Sequence, residues 1–464
     1  MLPEDALLEI FDFYRLDTIE SSEGRPWKWH RLAHVCRRWR HVISISPCRL
    51  DLRILCEYGT PFGGILQSWP TLPLFVRFDA RRHLKHMPGN IVVALRHPDR
   101  LCEIDLGVTS SMTGPIVDMI QKRCQALEGI RIKVEELEDA TNPSILIHNA
   151  FLGGSAPHLR KIELDGIAFP FPEIQRVLLS TNNLVELHLS RIPHAAYFSP
   201  SDLITALSTL VQLKSLTIGF HFPASYPPPS MMRPPSQRIT LPFLTSLNFH
   251  GASEYLEEFA ARIDSPALIK ITIWLFINNQ IFFDIPQFRQ FISHLDARGF
   301  PTEVSVEHSA ESVSVSLIRG GGNTPNTICV LGTSCRRLDW QLSFVTQILT
   351  QLSPFLSSVH LLENLTPSES SFPTGEEDVD SAQLQEFFQP FTHVKAVYVW
   401  RTKLVPGIVQ ALVTDSEDMV AGVLPELASL HLTGYRKSSA VAKAAKQFAA
   451  MRSLSGHPVS LSGW

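Results

Sequence analysis

The sequence has no excess of positive charge, no C-x-x-C pair, no long uninterrupted apolar run and no motif of covalent catalysis, and each absence removes a class of function. Lys and Arg number 41 against 45 Asp and Glu, a formal net charge of -4. No global basic field exists to hold a phosphate backbone, so nucleic acid is not an expected partner. The seven cysteines (Cys36, Cys48, Cys56, Cys102, Cys124, Cys329, Cys335) are odd in number and scattered, which suits free thiols in a reducing compartment. The most apolar run, 267–283, is interrupted by Lys270 and Asn278-Asn279. It falls short of the ~18 uninterrupted residues that a membrane span requires. Met1 leads into an acidic segment rather than a basic start and an apolar core, so no secretory leader is expected. The expected location is the cytoplasm, the nucleus or both. G-x-S-x-G, H-E-x-x-H, a phosphate loop with its Lys, and zinc-spaced Cys/His clusters are all missing. The expectation is therefore no enzyme, no metal and no cofactor. What is present is an ordinary globular balance, 44% hydrophobic and 19% charged over 464 residues, enough for a large core.

The first stretch, 2–47, spells two amphipathic helices of opposite charge. In LPEDALLEIFDFY, Leu7, Ile10, Phe11 and Tyr14 recur at i, i+3, i+4 and i+7, one helical face. Pro3 suits a first turn, and Glu4, Asp5 and Glu9 sit where unpaired N–H groups favour carboxylates. From Trp29, WHRLAHVCRRWRHVI places Leu32, Val35, Cys36, Trp39, Val42 and Ile43 on one face of a second helix and Arg31, Arg37, Arg38 and Arg40 on the other. Neither stripe is buried alone, so the two helices are expected to pack on each other.

This opening resembles an F-box, the helical motif that docks on the Skp adaptor of SCF ubiquitin ligases. Leu2-Pro3, Ile10-Phe11 and Val35-Cys36-Arg37-Arg38-Trp39 carry the resemblance; a longer polar insert, 17–29, stands between the helices, as is common in fungal members. The resemblance implies an adaptor-binding set of Leu2, Pro3, Leu7, Ile10, Phe11, Val35, Cys36 and Trp39, with cullin recruited through the adaptor.

After residue 100 one phrase, L-x-x-L-x-L, is rewritten seven times: Leu101/Ile104/Leu106, Leu127/Ile130/Ile132, Leu159/Ile162/Leu164, Leu184/Leu187/Leu189, Leu213/Leu216/Ile218, Leu244/Leu247/Phe249 and Leu268/Ile271/Ile273. The starts lie 26, 32, 25, 29, 31 and 24 residues apart, room for a strand and a helix each. The phrase resembles the leucine-rich-repeat strand, loosely, because the usual Asn or Cys after the strand is missing. Beyond residue 300, Val304/Val306, Val313/Val315/Leu317, Ile328/Val330 and Leu338/Trp340/Leu342 read as strands with little room for helices, a local antiparallel patch. The phrase resumes at Leu356/Val359/Leu361, Val394/Val397/Val399 and Leu427/Leu430/Leu432, and a helix over 440–451 is expected to cap the array.

The expected fold class is α/β: a small helical F-box over 1–47, a linker with first irregular repeats over 48–100, and an irregular leucine-rich-repeat solenoid over 101–464. Parallel strands would line its concave face with helices outside. Proline-rich 223–238 and acidic 366–382 read as loops. Alternation puts Trp274, Tyr398, Trp400 and His431 on the open sheet face, where earlier repeats carry Glu103, Asp105, Arg131, Glu163, Glu186 and His188. Large exposed aromatics mark binding surfaces, so these four are the expected substrate contacts, unless the antiparallel patch or the acidic loop folds over the rings. The resemblance implies a substrate-recognition subunit of an SCF-type ligase that captures a protein target through the repeats. The alternatives are an adaptor-bound scaffold without a ubiquitylation target and, more weakly, a repeat-fold enzyme.

Overall fold

Strands form where the Leu-rich phrase occurs, and burial alternates with its spelling. The computed structural model describes residues 2–20, 29–46, 49–60, 62–80, 86–109, 112–134, 145–146, 151–221, 238–276, 284–293, 299–320, 326–365, 381–400, 405–414, 423–433 and 440–463. The loops expected at 223–238 and 366–382 lie outside these residues, apart from 238 and 381–382. The described chain divides into two units, Met1–Phe198 with Thr209–Leu213, and Ser199–Ser208 with Lys214–Trp464.

The first unit opens with α1 (Glu4–Glu20), α2 (His30–Ala33) and α3 (Arg37–Ile45). Strand and helix then alternate through β1 (Ile54–Cys56), α4 (Phe62–Ser68), β2 (Leu74–Asp79), α5 (Gly89–Leu95), β3 (Leu101–Val108), α6 (Thr113–Ile120) and β4 (Gly129–Val134). β5 (Ile145–Leu146), β6 (Lys161–Asp165), β7 (Ile167–Ala168), α7 (Phe171–Ser180) and β8 (Glu186–Ile192) complete the unit. Its main sheet, β1-β2-β3-β4-β6-β8, is parallel throughout; β5 and β7 form a separate parallel pair. Ile104, Ile130, Ile162 and Leu187 stand in one register row, all at most 1% exposed. The parallel ladder begins at Ile54, so 48–100 already holds two strand-helix units.

The second unit runs through α8 (Pro200–Leu207), β9 (Ser215–Phe220), β10 (Ile239–Thr240), β11 (Ser246–Gly251), α9 (Ser253–Ala260), β12 (Ile263–Asp264), β13 (Lys270–Leu275) and α10 (Pro286–Ile292). It continues through β14 (Glu303–His308), β15 (Ser312–Arg319), β16 (Asn326–Ser334), α11 (Leu338–Gln351), β17 (Leu361–Leu365), α12 (Ser381–Phe388), β18 (Ala396–Trp400), α13 (Val405–Thr414), β19 (Ser429–Thr433), α14 (Ala440–Leu454) and β20 (Ser460–Ser462). Its strand order is β9-β11-β13-β16-β15-β14-β17-β18-β19-β20, with β10 and β12 paired apart. Pairing is parallel except at β15, which runs against both β14 and β16. The expected antiparallel patch is thus a three-strand meander laid in reverse order between β13 and β17.

Three expectations are corrected. Leu338, Trp340 and Leu342 belong to helix α11 rather than a strand: Leu342, Val345, Ile348 and Leu349 are buried at helical spacing, and that period outweighs the short alternation at the start. The repeat frame at β17 is Val359/Leu362, not Leu356/Val359/Leu361, because Leu362 pairs with Val397 and is 1% exposed, while Leu361 is half-buried on the opposite face. Finally, α14 does not end the array, since β20 adds to β19 in parallel.

Two buried polar groups hold neighbouring elements of the second unit. Glu257 on α9 accepts from the backbone N–H groups of Gln287 and Phe288, each at 2.8 Å, and so caps α10, whose first residue Pro286 has no N–H to satisfy. Burial pushes its carboxyl above the ordinary range against the pull of those two donors. His308 on β14 is 0% exposed. Gln341 Nε2 donates to the Ser309 and Cys335 carbonyls at 2.9 and 2.6 Å, which turns its Oε1 toward His308 Nδ1 at 3.2 Å. Nδ1 therefore carries the proton, and Nε2 is buried without a partner among the described residues.

Burial lowers the His308 pKa from 6.5 to about 4. Between those values the unfolded chain binds a proton that the folded protein refuses, so stability falls as pH drops through this window. At ~1.4 kcal/mol per unit the full loss is about 3 kcal/mol, absent above pH 6.5 and constant below about 4. Urea denaturation of wild type and His308→Asn at several pH values should show their stability difference changing by this amount in wild type's disfavour on acidification. A difference independent of pH would show that His308 titrates normally.

Candidate interaction surfaces

The helical module of the first unit closes its own core. Phe11, Val42 and Ile43 are each 0% exposed, and the Phe11 ring meets the half-buried Trp39 edge-on, centroids 5.0 Å apart. Leu7 is buried with them. The second helix is not continuous as expected: it breaks at 34–36 into α2 and α3. Cys36 takes an extended backbone conformation and caps α3, its Sγ accepting from Trp39 N at 3.4 Å. The break turns Val35 and Cys36 outward. Arg40 Nε bonds the Ala33 carbonyl at 3.0 Å across it, and Arg38 bonds the Leu2 carbonyl, tying the chain start to α3.

Of the eight residues expected to meet an adaptor, Leu2, Pro3, Ile10, Val35 and Cys36 are thus exposed, whereas Leu7 and Phe11 are core and Trp39 lies between. Phe13, 70% exposed on α1, is an apolar surface residue that the helical stripe left out. It follows Ile10 by three residues, the one signal that could have found it. Trp29, within the insert, is 5% exposed: its indole N–H donates to the Arg53 carbonyl at 2.8 Å and its ring meets Trp69 edge-on at 5.1 Å. The module is therefore fastened to the first strand-helix unit.

The open sheet face of the first unit is a charge lattice. Arg77, Asp105, Arg131, Glu163 and His188 stand side by side in register, with Arg77–Asp105 at 3.5 Å, Arg131–Asp105 at 3.8 Å and Arg131–Glu163 at 3.0 Å. Lys161 joins Glu186 at 2.9 Å, and Arg53 joins Glu128 at 2.9 Å and Glu103 at 3.5 Å. Such a face neutralises itself.

The open face of the second unit is different in kind. Tyr398 and His431 stand in register on β18 and β19 and stack ring on ring, centroids 4.0 Å apart and 6° from parallel; His431 Nδ1 also bonds the Ser462 hydroxyl. Glu363 follows Tyr398 in the same row. Trp274 is half-buried, its ring lying over Gly332, where an added Cβ would meet ring atoms at 3.0 to 3.1 Å. The Trp400 side chain lies outside the described residues. The structure brings Tyr398 and His431 together but not Trp274, because β16, β15, β14 and β17 intervene, a separation of about 24 Å at ~4.8 Å per strand.

No family model matches the chain. No curated protein matches it either. Among solved structures it is similar to the crystal structure of the leucine-rich repeat-containing protein LegL7 from Legionella pneumophila, at 10% identity over 87% of this chain and 98% of that one, with a TM-score of 0.28. A likeness of that size carries no argument; the leucine-rich-repeat character rests on the register and burial described above. Among the described residues no group of three His, Cys, Asp or Glu side chains is placed to hold a metal ion, and no helix is long and apolar enough to cross a membrane. Burial pushes the Cys56, Cys102 and Cys329 thiols up to about 12 and Cys124 to about 11, which leaves these four as packing groups rather than nucleophiles.

Proposed function

We propose that the protein is a substrate receptor of an SCF-type ubiquitin ligase, whose N-terminal helices act as an F-box for the Skp adaptor and whose repeat sheet captures a protein target. The observation that carries this reading is the exposed apolar set Leu2, Ile10, Phe13 and Val35, 42 to 70% exposed, displayed on a helical module whose own core is already filled. Exposed apolar side chains grouped on one small module mark a binding surface. The order and spacing of Leu2-Pro3, Ile10-Phe11 and Val35 to Trp39 add the F-box resemblance. In this reading the protein does no covalent chemistry and needs no cofactor. It acts by raising the local concentration of target lysines near a ubiquitin-loaded enzyme held elsewhere in the complex, with cullin joined through the adaptor. Its place is the cytoplasm, the nucleus or both.

The test is direct. The purified full chain, mixed with recombinant Skp adaptor from the matched organism, should elute with it as one complex in size-exclusion chromatography. Separate elution of a folded protein would remove the F-box and with it the ligase role.

A further inference from the structure

Between the aromatic pair and Trp274 the second unit carries charges that no cation among the described residues neutralises. On β14, Val304, Val306 and His308 are buried, so Glu303, Ser305 and Glu307 share the open face. Glu363 on β17 is the register partner of Ser305 and lies on that face too. Ion pairs in this unit join Arg262 to Glu258, Arg336 to Glu311, Arg337 to Asp339 and His393 to Glu426. Among the described residues no cation lies within ion-pairing distance of Glu303, Glu307 or Glu363. In the first unit, by contrast, Glu103, Asp105, Glu163, Asp165 and Glu186 on the sheet face all have an Arg or Lys partner. Burial, and then the neighbouring Glu303, raise the Glu363 pKa above the ordinary range, as expected for a carboxylate left without its counter-charge.

A second observation marks the place as built to receive something. Ser305 and Ser314, 7% and 9% exposed, point to this face between the carboxylates, and neither hydroxyl has a hydrogen-bond partner among the described residues. Ser314 stands opposite Glu307, and Ser316 opposite Ser305. The floor is therefore small and hydroxylated. Tyr398 and His431 rise beside it, and an aromatic face next to carboxylates favours a cation.

We propose that this face binds an extended, lysine- or arginine-bearing segment of a partner protein, its cationic side chains on Glu303, Glu307 and Glu363 and one of their stems along the Tyr398 ring. The proposal deepens the receptor reading and rests on its assignment of the sheet face to target capture. Geometry sets the spacing. Glu303 and Glu307 are four strand positions apart, about 13 Å, and an extended chain lying along β14 brings side chains i and i+4 to the same separation. A long alkyl stem with a charged tip suits a floor that is small at the centre and acidic at both ends.

The experiment is fluorescence anisotropy on the full chain, with a labelled peptide of about twelve residues, Gly and Ser with Lys at every fourth position, and a counterpart with Glu in place of Lys. The Lys peptide should bind at least tenfold more tightly than the Glu peptide and weaken as salt rises from about 50 to about 500 mM. The triple variant Glu303→Gln, Glu307→Gln, Glu363→Gln should lose at least tenfold, with its melting temperature kept. Tyr398→Leu, which retains every carboxylate, should lose at least threefold and serves if the triple variant fails to fold. Glu163→Gln on the first unit should change nothing. Equal binding of the two peptides, no binding of the Lys peptide, or an unaltered affinity in the triple variant overturns the proposal. Adaptor co-elution, scored on the same wild-type preparation, distinguishes the failures: if it persists, only the basic-segment inference has fallen, and if it is lost, the receptor reading has fallen.

Discussion

Leu216→Asp should leave the second unit unfolded at ordinary temperature, whereas Thr217→Ala next to it should shift stability by no more than about 1 kcal/mol. Leu216 is 0% exposed on β9 and stands in register with Leu247, 1% exposed on β11. Removing its apolar burial costs about 2 to 3 kcal/mol. An aspartate there has no cation to meet, so it must take up a proton; from an ordinary pKa near 3.9 to pH 7 that costs about 4 kcal/mol more. The sum is comparable with the whole stability of a typical domain, about 5 to 15 kcal/mol. Thr217 points the other way, half-buried, and gives up the hydrogen bond that its hydroxyl accepts from Asn248 at 3.2 Å. That loss is within the usual range for a partly exposed site. Circular dichroism melting of both variants checks the pair, and comparable damage at both positions would place the strand one residue out of register.

Phe11→Ala should destabilise the helical module by about 3 to 5 kcal/mol, the cost of a cavity at a buried aromatic. The ring is 0% exposed and Trp39 leans on its edge at 5.0 Å, so truncation removes both core and the support of α3. Its neighbour Ile10 is 42% exposed, and Ile10→Asp should leave the melting curve within about 1 kcal/mol of wild type. Under the proposed function both variants lose the adaptor, for different reasons: Phe11→Ala because the module is no longer folded, Ile10→Asp because a charge now sits in the contact. Isothermal titration with the adaptor, beside far-ultraviolet melting, separates the two. Undiminished adaptor affinity in Ile10→Asp would move the contact away from α1.

The contrast between Phe11 and Ile10 also shows where sequence reasoning stops. Both belong to the apolar stripe of α1, and periodicity alone assigns them together, yet one faces the core and the other solvent. Cys36 is a similar case: apolar spacing runs through it, but a side chain that caps the next helix ends the one before, and Val35 turns out as a result. The seven strand phrases before residue 300 were legible because Leu at fixed spacing leaves a parallel strand little choice of face. At β17 two overlapping frames satisfied the pattern, and only pairing to Val397 selected Leu362. The candidate site was legible in kind, since alternation alone placed Trp274, Tyr398 and His431 on the open face. Their separation was not, because it depends on strand order, and nothing local in the sequence says that β14 to β16 are laid down in reverse.

That reversal changes how the array can be assembled. In a plain solenoid each rung rests on the one made just before it, so order spreads along the chain one rung at a time as synthesis proceeds. Here β13 pairs with β11 on one edge, but its other edge has no neighbour until β16 arrives, more than fifty residues after β13 ends, when Thr333 delivers its hydroxyl to the Leu275 carbonyl at 2.7 Å. β14, emerging first, must wait two places away for the gap to be filled. The growing chain thus meets a pause in its zippering at β13, with that strand's edge open until the meander closes over it, and the rungs on either side can be neither added nor deleted singly in this region; the three strands form one indivisible step.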